Sequence, residues 1–130
     1  MTTFFHFTST VHLPFIIGSG AIGPTSSNIL FPSFEEAGPL VVWLLSEPEP
    51  TYEHGLVSAV DKTAVRFEVD IPAIKWTDWE WTARMPKDSK RLIIQTGGGE
   101  EAADLWYVWP APIPRKRWVS VRSCGEPVAI

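Results

Sequence analysis

Cysteine is almost absent from this chain, which has Cys124 as its one cysteine among 130 residues. A single thiol excludes a disulfide within the chain and a zinc site built from several cysteines. The fold must therefore be stabilised by a hydrophobic core, and a chain of this length can bury one as a single domain, residues 1–130. Sparse cysteine also fits the reducing environment of the cytoplasm.

Long hydrophobic runs are missing as well. The longest uninterrupted apolar stretch, Pro39 to Leu45, is far shorter than the roughly 20 residues that a membrane-spanning helix needs. The apolar N-terminus has no basic residue ahead of its hydrophobic part, so it does not match a secretory signal peptide. We therefore expect a cytoplasmic protein without a membrane partner.

An excess of positive charge is also lacking, because 11 basic residues face 15 acidic ones and the net charge is −4. Such a surface does not attract nucleic acid as a whole. Two local groups of basic residues remain, one around Lys90 and Arg91 and one at residues 115–117. Each is either a local basic patch or a solvated turn.

Tryptophan, in contrast, is abundant, with seven copies. Indole side chains either fill cores or form recognition surfaces, and the sequence leaves both uses open. Periodicity predicts strands next to them. Val65, Phe67 and Val69 alternate with charged residues, as a half-buried strand does. The predicted strands are residues 4–8, 40–45, 56–60, 64–70, 91–96, 105–109 and 118–122.

Helices are predicted at two places. Pro14 is tolerated only in the first turn of a helix, which should begin near residues 10–12 and end at Gly18 or Gly20. Residues 76–83 fit a strand or a helix capped by Thr77 or Asp78, and the helix is favoured. Residues 24–38 and 97–99 are expected to be loops.

Together these elements predict an α+β fold that is mostly antiparallel. It would contain about seven short strands in two packed sheets and one or two short helices. A pure β-sandwich is the competing fold.

The most specific motif lies in residues 1–23, MTTFFHFTSTVHLPFIIGSGAIG. Its elements are, in order, a strand with His6-x-Thr8, Leu13-x-x-Ile16 with the first-turn Pro14, and Ser19-Gly20. This order resembles the opening of the ADP-ribosyltransferase fold. The resemblance is to DarT-type DNA ADP-ribosyltransferases and, more distantly, to RNA 2′-phosphotransferases. Beyond residue 23 it is weak.

The resemblance implies that the chain binds NAD as a co-substrate and acts on a nucleic acid or protein acceptor. It implies that His6 bonds to a ribose hydroxyl, that the Thr8 region holds the nicotinamide end, and that Gly20 lets the chain turn close to the ligand. The plainer interpretation is that His6 and Thr8 occupy a half-buried strand face and find ordinary hydrogen-bond partners there.

Transfer of ADP-ribose also needs a carboxylate near the positive charge that develops on the ribose. In the resembling families a late strand carries this glutamate, but here that position falls at Trp106. The candidate catalytic residues are therefore Glu101 and Asp104, which follow the glycine loop, and Glu80, which stands between two tryptophans and is expected to be desolvated. The spacing of the histidines matches no metal site.

Two further functions remain open. The chain could be a non-enzymatic β-rich binding or inhibitor protein, of a phage or immunity type, that contacts a partner through its tryptophans and residues 115–117. It could also be a small β-barrel that encloses an apolar ligand in a cavity lined by tryptophans.

Overall fold

A computed structural model of the chain describes residues 2–24, 39–49 and 63–130. These residues form an α+β structure in which every strand pairing is antiparallel. In chain order its elements are β1 (Thr3–Thr8), α1 (Leu13–Ser19), β2 (Ala21–Ile22), β3 (Val42–Leu45), β4 (Val65–Asp70), β5 (Ile74–Lys75), a 3-10 helix (Trp76–Asp78), α2 (Glu80–Arg84), α3 (Lys87–Thr96), α4 (Glu100–Ala103), β6 (Trp106–Trp109), β7 (Ile113–Pro114), a second 3-10 helix (Arg115–Arg117), β8 (Trp118–Ser123) and β9 (Glu126–Pro127).

Seven strands form one sheet in the order β5-β6-β3-β1-β4-β8-β9, and β2 pairs with β7 in a second, two-stranded sheet. Strand β1 lies in the middle of the large sheet. It pairs with β4 along its whole length, from Thr3 opposite Asp70 to Thr8 opposite Val65. On its other side it pairs with β3, with Phe5 opposite Leu45. Residues of the opening motif are therefore held by neighbours on both sides.

The large sheet has a hydrophobic cluster on each face, because side chains alternate along every strand. On the first, here called the α1 face, Phe4, Leu44 and Phe67 pack with Ile22 of β2 and Ile113 of β7, and α1 lies against them. On the second, here called the α3 face, sheet residues pack with Met85, Ile93, Ala102 and Ala103. The sheet residues of the second cluster are Phe5, Phe7, Leu45, Trp106 and Val108. Helices α2, α3 and α4 thus cover the α3 face.

The alternating pattern over residues 64–70 is confirmed as β4. Val65, Phe67 and Val69 are fully buried on the α1 face, whereas Arg66 and Glu68 are half-buried on the other. Each fully buried apolar side chain of this size contributes about 1.5–3 kcal/mol relative to an exposed one. The strands predicted near residues 40–45, 105–109 and 118–122 are confirmed as β3, β6 and β8.

The helix predicted around Pro14 is confirmed as α1. Pro14 stands in its first turn, and Gly20 ends it in the left-handed conformation with φ 73°. The Gly20 N–H donates to the carbonyl of Ile16 at 3.0 Å. Only glycine adopts this φ without a steric cost, so the glycine at this position fixes the end of the helix.

All seven tryptophans lie in the core or against it. Trp76, Trp79, Trp106 and Trp118 are buried. The other three, Trp43, Trp81 and Trp109, are half-buried and pack on the two clusters. Of the two uses that the sequence left open for these residues, the structure shows core packing.

The strand predicted over residues 91–96 is wrong, because these residues belong to helix α3. In isolation, the apolar run Leu92, Ile93 and Ile94 resembles a short strand. In the structure, Ile93, Ile94 and Gly97 recur at helical spacing and lie on the side of α3 that packs on the sheet, where Ile93 is buried. The helix over residues 80–84 is confirmed, but neither Thr77 nor Asp78 caps it. Trp79 occupies the cap position without a side-chain hydrogen bond.

The described residues contain nine strands and four α-helices, more than the seven and two predicted. The additional strands β2, β5, β7 and β9 have two residues each, which is too few to produce a period. The strand predicted at 56–60 and the loop over residues 25–38 lie outside the described residues. None of the helices in the described ranges is long and apolar enough to cross a membrane.

Candidate functional site

His6 is half-buried on the α1 face of the sheet's middle strand. Its Nδ1 lies 2.9 Å from the carbonyl oxygen of Trp43 on β3. Because a carbonyl oxygen can only accept, Nδ1 carries the proton and donates in this hydrogen bond. The ring also lies beside Phe67, its partner across the β1–β4 pair, with centroids 6.3 Å apart. These two contacts fix the orientation of the imidazole.

Thr8 lies on the same sheet face as His6, since two positions separate them along β1. Its Oγ1 is 3.4 Å from Nδ1 of His12, and Oγ of Ser9 is 3.1 Å from the same nitrogen. The turn itself is held by the Ser9 carbonyl, which accepts from the N–H groups of His12 and Leu13 at 3.2 Å each. Two hydroxyls and one imidazole therefore converge where β1 ends and α1 begins. We call Thr8, Ser9 and His12 the hydroxyl–imidazole cluster.

Gly20 lies at the other end of α1, beside Arg115. The Arg115 N–H donates to the Gly20 carbonyl at 2.9 Å, and its guanidinium donates to the carbonyl of Ile17. The same guanidinium lies over the Trp118 ring, 5.5 Å from the centroid. A cation at a helix C-terminus is favourable because the last carbonyls carry partial negative charge. Arg115 is thereby held against α1 by several contacts.

The predicted NAD-binding residues thus share one unit, β1–α1–β2, on the α1 face. His6 and Thr8 are neighbours on that face. Gly20 is separated from them by helix α1, which is about 10 Å long at 1.5 Å per residue. The structure therefore brings His6 and Thr8 together and places Gly20 with Arg115.

The three candidate carboxylates lie elsewhere. Glu80 is on α2, Glu101 on α4 and Asp104 directly after α4, and all three are exposed. These helices pack on the α3 face, whereas His6 and Thr8 face the other side of the sheet. Trp106, which stands where the resemblance expects a glutamate, is also buried in the cluster of the α3 face. The structure does not bring these carboxylates together with His6 and Thr8.

The expected desolvation of Glu80 is wrong. Its side chain is 66% exposed and accepts a hydrogen bond from Arg84 at 3.4 Å, one helical turn away. The flanking tryptophans are directed toward the core instead, so they do not cover this carboxylate. An exposed carboxylate in a surface ion pair is an ordinary helix-stabilising residue.

Sequence reasoning missed Ser9, His12 and Arg115 as parts of this region. In the sequence, His12 is only one of three histidines whose spacing matches no metal site. Within the described ranges no three His, Cys, Asp or Glu side chains group as metal ligands would. Arg115 belongs to the basic group at residues 115–117, but its contact with α1 joins residues 98 positions apart. Only the tertiary structure shows that contact.

Comparison with protein-family models, curated proteins and solved structures finds no match to this chain. Indications of function therefore come from the geometry around β1 and α1 and from the resemblance carried by residues 1–23.

Proposed function

We propose that this chain is an ADP-ribosyltransferase-like protein that binds NAD at the start of α1 and transfers ADP-ribose to a nucleic acid or a protein. The proposal includes the fold of that class, with the seven-stranded and two-stranded sheets as its two packed sheets. The observation that carries it is the shared position of His6 and Thr8. Both stand on one face of the middle strand, next to the hydroxyl–imidazole cluster, and α1 follows directly.

The residues at this turn suit the nicotinamide riboside half of NAD. A ribose hydroxyl both donates and accepts, so it can pair with the oriented imidazole of His6. The nicotinamide carboxamide likewise offers donors and an acceptor, which match the hydroxyl of Thr8, while the buried Ser9 holds the turn. Small polar side chains that are held in place before the ligand arrives lose little conformational entropy on binding.

Arg115 suits the pyrophosphate half. Its guanidinium is held at the C-terminal end of α1 and belongs to a run of three basic residues, Arg115–Arg117. A guanidinium has five N–H donors in a planar fork, so the bond to the Ile17 carbonyl leaves donors for phosphate oxygens. In this proposal Arg115 is the residue that binds the phosphates of NAD.

In the transfer step, the bond between the ribose carbon and nicotinamide breaks, and nicotinamide leaves with the electron pair. The acceptor then bonds to that carbon and releases a proton to solvent. A carboxylate beside the ribose would stabilise the positive charge that develops. Because Glu80, Glu101 and Asp104 are on elements that pack on the α3 face, the proposal rests on NAD binding rather than on these carboxylates.

Titration calorimetry with NAD tests the proposal. Removing one hydrogen-bonding group costs about 0.5–1.5 kcal/mol, so His6→Ala should weaken binding by up to about tenfold. Arg115→Gln should weaken it by a similar or larger factor because a charged donor is lost. Arg84→Gln is the matched control, since Arg84 also lies over a tryptophan ring and makes a hydrogen bond, but on the other side of the molecule. Lack of NAD binding by the wild-type chain at millimolar concentration would refute the proposal.

Transfer itself is tested separately with labelled NAD and mixtures of nucleic acid or protein acceptors. Covalent label on an acceptor, lost in His6→Ala, is the expected result. The same assay with Glu101→Gln determines whether that exposed carboxylate takes part. Label on the acceptor that persists unchanged in His6→Ala would contradict the role of this residue.

A further inference from the structure

A groove of about 330 Å³ lies at one end of the large sheet, where β1, β4 and β8 meet. Its walls include Phe7, Glu49, Arg66, Arg122 and Gly125, and we call it the arginine groove. It opens on the same sheet face as the helices α2 to α4, but the hydrophobic cluster under those helices contains no residue of β4 or β8. The volume is within the range of small-molecule sites, roughly 300–1,000 Å³.

Two arginines stand directly opposite each other in this groove. Arg66 on β4 and Arg122 on β8 are register partners, so their side chains leave the sheet on the same face. Like charges in directly opposed positions of an antiparallel pair are destabilising. Hydrogen bonds or opposite charges from neighbouring groups must therefore offset the repulsion between Arg66 and Arg122.

Arg66 has more stabilising partners than Arg122. Nη1 of Arg66 donates to the carbonyl of Pro48 at 2.9 Å and lies 3.3 Å from Oε1 of Glu49. Its guanidinium also lies over the Phe5 ring, 5.4 Å from the centroid. Nη1 of Arg122 donates to the carbonyl of Gly125 at 3.2 Å, and no carboxylate in the described residues forms an ion pair with it. The groove thus holds two oriented guanidinium groups and one carboxylate.

That carboxylate is weakly held. The Glu49 side chain is 81% exposed, whereas the Arg66 side chain is 20% exposed. Ion pairs with one partner in solvent contribute about 0–1 kcal/mol at most. An anion can therefore compete with Glu49 for the Arg66 guanidinium. Glu68, the next residue of β4 on this face, does not line the groove.

We propose that the arginine groove binds a phosphate group, either as free phosphate or as the terminal phosphate of a nucleotide. Guanidinium forks match the geometry of phosphate oxygens, and two forks on adjacent strands provide more donors than either alone. This site lies on the opposite sheet face from His6 and Thr8 and goes beyond the proposed NAD site.

Titration calorimetry of the full chain with inorganic phosphate, at constant ionic strength, tests the proposal. Arg122→Gln should weaken phosphate binding by about tenfold, because a charge-assisted hydrogen bond is lost. Glu49→Gln should strengthen it several-fold, since the competing carboxylate is removed and the side chain is mostly exposed. Arg84→Gln, a paired surface arginine on α2, should leave it unchanged.

A parallel titration with adenosine 5′-monophosphate distinguishes the two sources of phosphate. Equal affinity for both probes indicates a free-phosphate site, and tighter binding of the nucleotide that is lost in Arg122→Gln indicates a nucleotide site in the groove. The proposal is overturned if Arg122→Gln and Arg84→Gln bind phosphate alike, or if Glu49→Gln weakens binding. Thermal unfolding of each variant shows whether it is folded.

Phosphate binding in the arginine groove and NAD binding at α1 can each be refuted without refuting the other. His6→Ala should leave phosphate binding in the groove unchanged, because His6 is on the other face of the sheet. Loss of phosphate binding in Arg115→Gln, with the fold intact, would show that phosphate binds at the NAD site instead.

Discussion

Gly97 lies so close to Trp106 that an alanine should not fit. A Cβ added at Gly97 would be 2.4 Å from Cζ2 and 2.5 Å from Cη2 of the Trp106 ring, and 3.1 Å from the carbonyl oxygen of Ile93. Carbon atoms in contact prefer about 3.5–4.0 Å, so the ring would have to move by about 1 Å. Trp106 is 4% exposed and is flanked by Trp76 at 5.2 Å and Trp43 at 6.3 Å between ring centroids.

The expected cost follows from two opposing effects. Forcing an extra methyl group into a packed core costs about 1–3 kcal/mol. Replacing glycine by alanine restricts the unfolded chain and recovers about 0.4–1 kcal/mol, because the φ of −85° at Gly97 suits alanine. The middle values of the two effects differ by about 1.3 kcal/mol, and Gly97→Ala should lower the free energy of unfolding by about that amount. For a domain of this size, that lowers Tm by roughly 5 °C.

Urea and thermal unfolding followed by circular dichroism measure this change. Gly18→Ala is the matched control, since a Cβ there has nothing within 4 Å and the position is helical. Alanine at this site should be neutral or stabilising by up to about 1 kcal/mol. If Gly97→Ala is as stable as the wild type, the packing of Trp106 against this glycine is refuted. In a double-mutant cycle, Trp106→Phe should reduce the cost of Gly97→Ala because the clashing ring atoms are removed.

Two further predictions concern tryptophan and a surface arginine. The indole N–H of Trp118 donates to the buried carbonyl of Ile113 at 3.1 Å, so Trp118→Phe should cost about 1–3 kcal/mol in urea unfolding because that carbonyl loses its partner. An equally stable Trp118→Phe variant would show that the bond contributes nothing. Arg84→Gln should change Tm by less than about 2 °C, since both Arg84 and Glu80 are mostly exposed and such pairs contribute little. A larger loss would mean that the ring contact with Trp81 stabilises the fold.

The sequence was sufficient for elements whose pattern is local and long. The alternation of Val65, Phe67 and Val69 predicts β4, and the placement of Pro14 and Gly20 predicts both ends of α1. In each case the side-chain period or the backbone conformation of one residue type determines the structure.

The misassigned segment shows where local patterns fail. Leu92, Ile93 and Ile94 are β-branched or apolar neighbours that favour a strand by propensity, but the segment packs on the α3 face as a helix. Tertiary packing decides between the two, because the same three residues satisfy either period. The two-residue strands β2 and β7 could not be predicted for a related reason, since their pairing joins positions far apart in the chain.

The candidate site was predictable only in part. His6 and Thr8 share a face because they stand two residues apart on a strand, and the sequence alone implies that. The contact of Arg115 with α1 and the cross-strand pair of Arg66 and Arg122 depend on the order of strands in the sheet. No spacing in the sequence encodes that order. For the same reason, the sequence does not show that Glu80 and Glu101 lie on the opposite side of the sheet from His6 and Thr8.

The most direct test of the proposed function is a nuclear magnetic resonance titration of the histidine imidazole rings with NAD. Binding at the start of α1 should shift the ring resonances of His6 and His12 in a saturable manner, with one dissociation constant for both. The backbone resonances of Arg66 and Arg122, on the other sheet face, should respond less. If neither ring shifts at millimolar NAD, or if only groove residues shift, the assignment of the NAD site to β1 and α1 is contradicted.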